Sequence, residues 1–112
     1  MIVHITHTFE EIFFKTFKQH HFSIEDFCKK LKQHNPIHIA EPIYKAKIVL
    51  NGVSLRGFII KKNDTTIVPI IFFLKDSKQW YNLVLDKQTT PIIDKLLSHY
   101  EQDFQNKRFV TY

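Results

Sequence analysis

The sequence predicts an α+β domain: an N-terminal strand and helical hairpin packed on an antiparallel β-meander, with an extra C-terminal helix. Three observations carry this. Apolar residues recur with a helical period up to Leu31, and the period switches to two from Ile43 onward. Asn51-Gly52, set between two alternating runs, is the strongest short hairpin signal a sequence offers. A further helical stripe, Ile92, Ile93, Leu96, Leu97, Tyr100 and Phe104, follows Pro91.

Met1–Thr6 alternates and reads as a short strand. Thr8-Phe-Glu-Glu11 has the form of a capping box, and the helix behind it carries Phe9, Ile12, Phe13 and Phe17 on one face, ending near His20. Phe14 falls off that stripe and is expected to be exposed until a partner covers it. Ser23 opens a second helix whose Ile24, Phe27, Cys28 and Leu31 fit the i, i+3, i+4, i+7 pattern, and Asn35-Pro36 stops it. Ile37–Pro42 reads as a connection. From Ile43, Tyr44, Ala46, Ile48 and Leu50 point one way and Lys45, Lys47 and Val49 the other. A two-residue turn at Asn51-Gly52 fixes register, so Leu50 faces Val53, Ile48 faces Leu55, and Lys47 faces Arg56. After a turn at Lys62–Thr65, the apolar run Thr66–Leu74 reads as a central strand, with Pro69 forcing a bulge or an unpaired flank. Lys75–Gln79 reads as a turn, Trp80–Asp86 as a fourth strand, and Thr90 as the cap of the last helix. The tail from Gln105 is basic and aromatic, with Lys107, Arg108, Phe109 and Tyr112.

The 112 residues, 13.5 kDa, are one domain's worth of chain, 1–112, able to bury roughly two-thirds of their unfolded surface. Eleven Phe stand against two Gly, which excludes glycine-rich phosphate loops. A single cysteine, Cys28, excludes a disulfide framework and a cysteine-built zinc site, and fits a reducing compartment. The start Met1-Ile-Val-His-Ile lacks the features of a secretory signal, and the longest apolar run, Ile67–Leu74, is too short to span a bilayer. The expectation is a cytoplasmic protein with no membrane partner.

Charge is concentrated. Between Lys45 and Lys78 lie seven positive residues (Lys45, Lys47, Arg56, Lys61, Lys62, Lys75, Lys78) against two negative ones, which accounts for the whole net charge of +5. A basic centre between neutral ends is the footprint of a polyanion partner. Within it, Lys47 opposite Arg56 is informative, because like charges directly across a sheet repel and a bound anion removes that penalty. Arginine's planar fork suits phosphate, and Arg56 is one of only two arginines. Lys75, Lys78, Trp80 and Tyr81 follow at the end of the next strand, where an aromatic beside cations is suited to stacking a base while holding its phosphate. The expected result is a sheet with one apolar face against the helices and one basic, solvated face. His4 and His7, three apart, lack a carboxylate at metal spacing; His20, His21 and His99 read as surface positions, and Cys28 as an inert buried thiol.

The order strand, two helices and meander, with the run Leu55-Arg56-Gly-Phe-Ile-Ile…Thr66-Ile-Val-Pro-Ile-Ile-Phe-Phe-Leu-Lys75-Asp-Ser-Lys78-Gln-Trp-Tyr81, resembles the RelE/ParE superfamily of bacterial toxins over about residues 1–86. The resemblance is one of pattern. It implies a curled antiparallel sheet, and it implies ribosome-dependent messenger RNA cleavage without metal or other cofactor: the 2′-hydroxyl attacks the adjacent phosphate, cations hold the developing charge, and side chains move the protons. On this chain the resemblance puts those roles on Arg56, Lys75, Lys78 and Tyr81, with Lys45, Lys47, Lys61, Lys62, Trp80 and Arg108 in contact with RNA. It implies a cognate antitoxin as partner, the toxin being a monomer or antitoxin-bound. Two alternatives use the same surface: a ParE-like gyrase inhibitor without enzymatic activity, and a nucleic-acid-binding or phage-type inhibitor protein.

Overall fold

A computed structural model describes residues 1–33, 37–40, 43–85 and 89–112 of the chain. The elements run β1 (Ile2–Thr6), α1 (His7–Thr16), α2 (Ile24–Lys32), β2 (Ile37–Ala40), β3 (Ile43–Leu50), β4 (Val53–Asn63), β5 (Thr66–Leu74), α3 (Lys78–Leu85), α4 (Thr89–Gln105) and β6 (Phe109–Thr111). The architecture is α+β, with the sheet in the order β2-β3-β4-β5-β1-β6. β1 lies parallel to β5, and the other pairings are antiparallel.

The hairpin forms as the sequence predicts. Asn51 and Gly52 take φ of 51° and 78°, both in the left-handed region that a type I′ turn requires. Leu50 pairs Val53, Ile48 pairs Leu55, and Lys47 pairs Arg56. β5 spans Thr66–Leu74, and the expected irregularity falls at Pro69: Phe58 pairs Ile71 while Ile59 pairs Pro69, leaving Ile70 as the extra residue of a bulge. The Tyr100 hydroxyl donates to the Ile70 carbonyl, so α4 is fastened to β5 at that irregularity.

Strand alternation divides the core. On one face, Ala46, Ile48, Leu50, Leu55 and Phe72 meet α1 and α2. Phe72 packs edge-on against Phe27 and Phe9, with centroids 5.0 and 6.5 Å away, and Phe13, Phe17 and Phe22 extend the aromatic cluster. Each such ring contributes about 1.5–3 kcal/mol by burial. Phe72 reaches its partners because Gly57 lies across from it. A Cβ on Gly57 would come within 2.5 Å of the Phe72 ring and 2.3 Å of the Ile71 carbonyl oxygen.

Several expectations are corrected. Thr8 is not the cap of α1. Thr6 is, its hydroxyl accepting from Phe9 N–H at 3.1 Å, while Thr8 N–H donates to Asp103. The helix ends at Thr16, four residues before His20. Ser23 does cap α2, accepting from Asp26 N–H, and Ile24, Phe27, Cys28 and Leu31 are its buried face. Its stop at Asn35-Pro36 lies outside the described residues. Ile37–Ala40 is a strand paired with β3, not a connection. Trp80–Leu85 is helix, not strand, and Asp86 lies outside the described residues: Ser77 accepts from Trp80 N–H at 3.1 Å, a helix cap, and β1 already occupies the free side of β5. Thr90 lies within the first turn of α4 rather than ahead of it. The tail adds β6, which closes on β1.

The largest correction concerns the far face of the sheet, which is only partly solvated. Trp80 of α3 packs on Phe58, centroids 5.3 Å apart, and Leu97, Tyr100 and Phe104 of α4 line an apolar pocket with Ile60 and Val68. Phe58, Ile60, Val68, Ile71 and Phe73 share that face with the cations, and burying them requires a cover. Among the described residues, no helix is long and apolar enough to cross a membrane.

Candidate nucleic-acid interface

The uncovered part of the basic face is narrow and well defined. The Lys45–Phe58 rung lies beneath Trp80, with the Lys45 ammonium 5.5 Å from the indole centroid. The next rung, Lys47–Arg56–Phe73, is open: Lys47 is exposed and Arg56 and Phe73 are half-buried. Arg56 Nη1 donates to its neighbour's carbonyl, Leu55 O, at 3.0 Å, which holds the guanidinium over β4. Beyond it comes Val49–Ser54, and there Lys75 N–H donates to Ser54 O at 3.0 Å. The exit of β5 is thereby tied to the start of β4. Lys78, the first residue of α3, is exposed, as is Tyr81 at 65%.

The structure thus gathers Lys45, Lys47, Arg56 and Lys75 along adjoining strands, with Lys78 and Tyr81 on the helix that covers the Lys45 rung. It does not bring the remaining cations to this strip. Lys61 lies on the opposite face of β4 from Arg56, its ammonium 4.7 Å from the Tyr44 ring centroid. Lys62 sits 4.1 Å from the Phe104 ring centroid, against α4. Arg108 is exposed beside β6, with β5 and β1 standing between that strand and β4. Trp80 is only 8% exposed, so its indole fastens α3 to the sheet and offers no free face for a base. A stacking surface in this neighbourhood falls to Tyr81.

A feature that the sequence reading passed over lies at the end of the strip. An open groove of about 510 Å³ is lined by His20, Gly52, Val53, Ser54, Leu74, Lys75, Asp76 and Ser77. Three chain reversals meet there: the α1–α2 loop, the Asn51-Gly52 turn and the β5–α3 turn. His20 lies nearly parallel to Phe22, with centroids 5.2 Å apart and planes at 10°, and edge-on to Phe17. Phe17-x-x-His20-x-Phe22 is the sequence signal for this anchoring. The other histidines with specific settings lie elsewhere. His4 is held between Phe104 and Phe109, its Nδ1 buried without a hydrogen-bond partner, and burial together with the Lys62 charge holds the imidazole below its ordinary value. Among the described residues no three His, Cys, Asp or Glu side chains are grouped to hold a metal ion. Cys28 is buried and its thiol is pushed up to about 12, chiefly by desolvation.

No protein-family profile, curated protein or solved structure matches this chain.

Proposed function

We infer that the chain is a toxin of the RelE/ParE type that binds messenger RNA on the ribosome across the Lys47–Arg56 rung and cleaves it without a metal. The observation that carries the reading is the pairing of Lys47 with Arg56 on an uncovered rung. The two cations stand directly across the sheet from each other, Lys47 exposed and Arg56 half-buried, so that both could hold one phosphate. The element order strand, helical hairpin, antiparallel meander agrees with what the family resemblance implies. In this reading Arg56 and Lys47 stabilise the charge on the attacked phosphate, Lys75 and Lys78 stand at the leaving side, and Tyr81 supports a neighbouring base. The site of action is the cytoplasm, and a cognate antitoxin covers the cations. Phe14, 44% exposed on α1, offers that antitoxin an apolar foothold.

The test is cleavage of a ribosome-bound message by purified protein in excess chelator. Products ending in a 2′,3′-cyclic phosphate are expected, and Arg56→Gln abolishes them. Intact message with retained RNA binding removes the enzyme reading. A second reading, inhibition of a protein target such as gyrase, is favoured by Val49, 52% exposed on the same face beside Lys47, since an apolar side chain next to cations suits a protein surface. Inhibition of supercoiling with no effect on message would select it.

A further inference from the structure

Among the described residues, β2 flanks the first part of β3: Ala40 pairs Ile43 and Ile37 pairs Lys45, and β3 runs on to Leu50. Beside that continuation lies an open groove of about 180 Å³. Lys47, Ile48 and Val49 of β3 line it, together with Lys30 and Gln33 from the end of α2. Consecutive strand residues point to opposite faces of a sheet, so a groove that touches all three wraps around the edge of β3. The basic face and the helix-covered face meet there, with Lys47 on one side and Lys30 on the other.

Lys30 reaches this edge because of how α2 is wound. Ile24, Phe27, Cys28 and Leu31 form its buried stripe. At 3.6 residues per turn, Lys30 and Lys32 fall on opposite borders of that stripe and Lys29 on the outer side. All three lysines are exposed and lie in the last turn, where a cation offsets the helix dipole. That shared role accounts for a positive charge at each. Of the three, Lys30 lines the groove with Lys47.

We propose that Lys30 is a phosphate-binding residue of the Lys47–Arg56 interface, and that the bound RNA strand crosses β4 and β3 and leaves over the outer edge of β3 onto the end of α2. This rests on the RNA-binding reading above. Arg56 and Lys47 are one strand spacing apart, about 4.8 Å, and Lys30 continues the series past the edge. The acids of α2, Glu25 and Asp26, stand in its first turn, away from this end. A lysine ammonium on a flexible stem meets a phosphate as a point charge, so the contact positions the strand and reads no base. Gln33, exposed beside it, can donate its amide to a phosphate or sugar oxygen.

The experiment is a salt titration of affinity for a single-stranded RNA oligonucleotide, comparing wild type with Lys30→Gln, Lys29→Gln, Lys32→Gln and Lys30→Arg. Each glutamine variant removes one charge from the same helical turn, so an effect of net charge falls on all three alike. Lys30→Gln is expected to weaken binding about fivefold near 0.1 M salt and to flatten the slope of log affinity against log salt by about 0.7. Lys29→Gln and Lys32→Gln are expected to stay within about twofold of wild type with its slope. Lys30→Arg keeps the charge and is expected to keep both affinity and slope, which separates lost charge from a disturbed helix end. Equal losses in the three glutamine variants, or wild-type affinity and slope in Lys30→Gln, overturn the role of Lys30 and leave the RNA reading intact. Wild type with no salt-dependent RNA affinity overturns both.

Discussion

The carboxylate of Asp103 accepts the backbone N–H of Thr8 at 2.9 Å, across 95 positions of sequence. Asp103 is 7% exposed, near the end of α4, and the group it receives belongs to the first turn of α1. Two helices on opposite faces of the sheet are thereby joined at one corner, and a carboxylate meets the positive end of a helix dipole. Asp103→Ala leaves that N–H without its partner and is expected to cost about 1–3 kcal/mol, a fall in melting temperature of about 5–15 °C. Asp103→Asn keeps an oxygen acceptor and is expected to lose less than half as much. Unchanged melting of both variants would show that water replaces the bond at no cost.

Gly57 is the second structural test. Its missing Cβ is what admits the Phe72 ring and the Ile71 carbonyl, so Gly57→Ala forces the backbone of β5 away or turns Phe72 out of the aromatic cluster. Overpacking of this kind is expected to cost about 1–3 kcal/mol, read as a lower urea midpoint with an unchanged slope. Phe72→Leu in the Gly57→Ala background shortens the ring and recovers part of the loss.

Arg56→Gln removes one of two opposed cations and one hydrogen bond to Leu55 O. These effects oppose each other, so stability stays within about 0.5 kcal/mol of wild type while RNA binding collapses. With about five phosphates neutralised, log affinity for single-stranded RNA falls against log salt with a slope of about −3 to −4, and Arg56→Gln flattens it by about 0.7. A large drop in melting temperature with full RNA binding would make Arg56 a structural residue.

His4 gives the fold a pH dependence whose sign follows from its position. Burial and Lys62 hold the folded imidazole below the ordinary value of 6.5, while the unfolded chain takes its proton at that value. The unfolded state thus binds more protons in that window. Stability contributed by His4 is full above pH 6.5 and is lost as pH falls through 6.5 toward the lower, folded value. Melting temperature is expected to drop between pH 7.5 and pH 5, and His4→Phe, which puts a third carbon ring beside Phe104 and Phe109, flattens that segment of the profile. An unaltered profile in His4→Phe would assign the dependence to other groups.

How much of this was legible in the sequence depends on the range of the interactions involved. The hairpin register, the α2 face and the irregularity at Pro69 come from local chemistry: a turn that only Asn-Gly-like residues make easily, a serine cap, and a missing N–H. Lys47 and Arg56 were legible for the same reason. The stretch from Trp80 was not, because a short apolar run fits strand and helix alike. What decides it is that β1, from the other end of the sequence, takes the place beside β5 that a fourth meander strand would have used. The burial of Trp80 and the meeting of the α1–α2 loop with the β5–α3 turn at one groove belong to that same class of fact. Each depends on which distant segment arrives above or beside a strand, and the nearby residues carry only a local hint of it, such as the Ser77 cap three positions before Trp80.

β1 has its two neighbours supplied by Thr66–Leu74 and by Phe109–Thr111. During synthesis the first strand therefore waits, with both of its edges open, until nearly the whole chain has left the ribosome. The α1–α2 aromatic cluster is in the same position, since Phe72 arrives late. Such dependence on remote pairings slows folding and lengthens the time during which an apolar strand can join a neighbouring chain. The β3–β4 hairpin, whose own pairing closes through a two-residue turn, is the natural first structure to form, and it carries the Lys47–Arg56 rung. The cations would thus be arrayed on a hairpin before the domain that buries its other face exists. An acidic partner made at the same time would find its target on the nascent chain, and binding there would hold the hairpin in register while the remaining strands arrive.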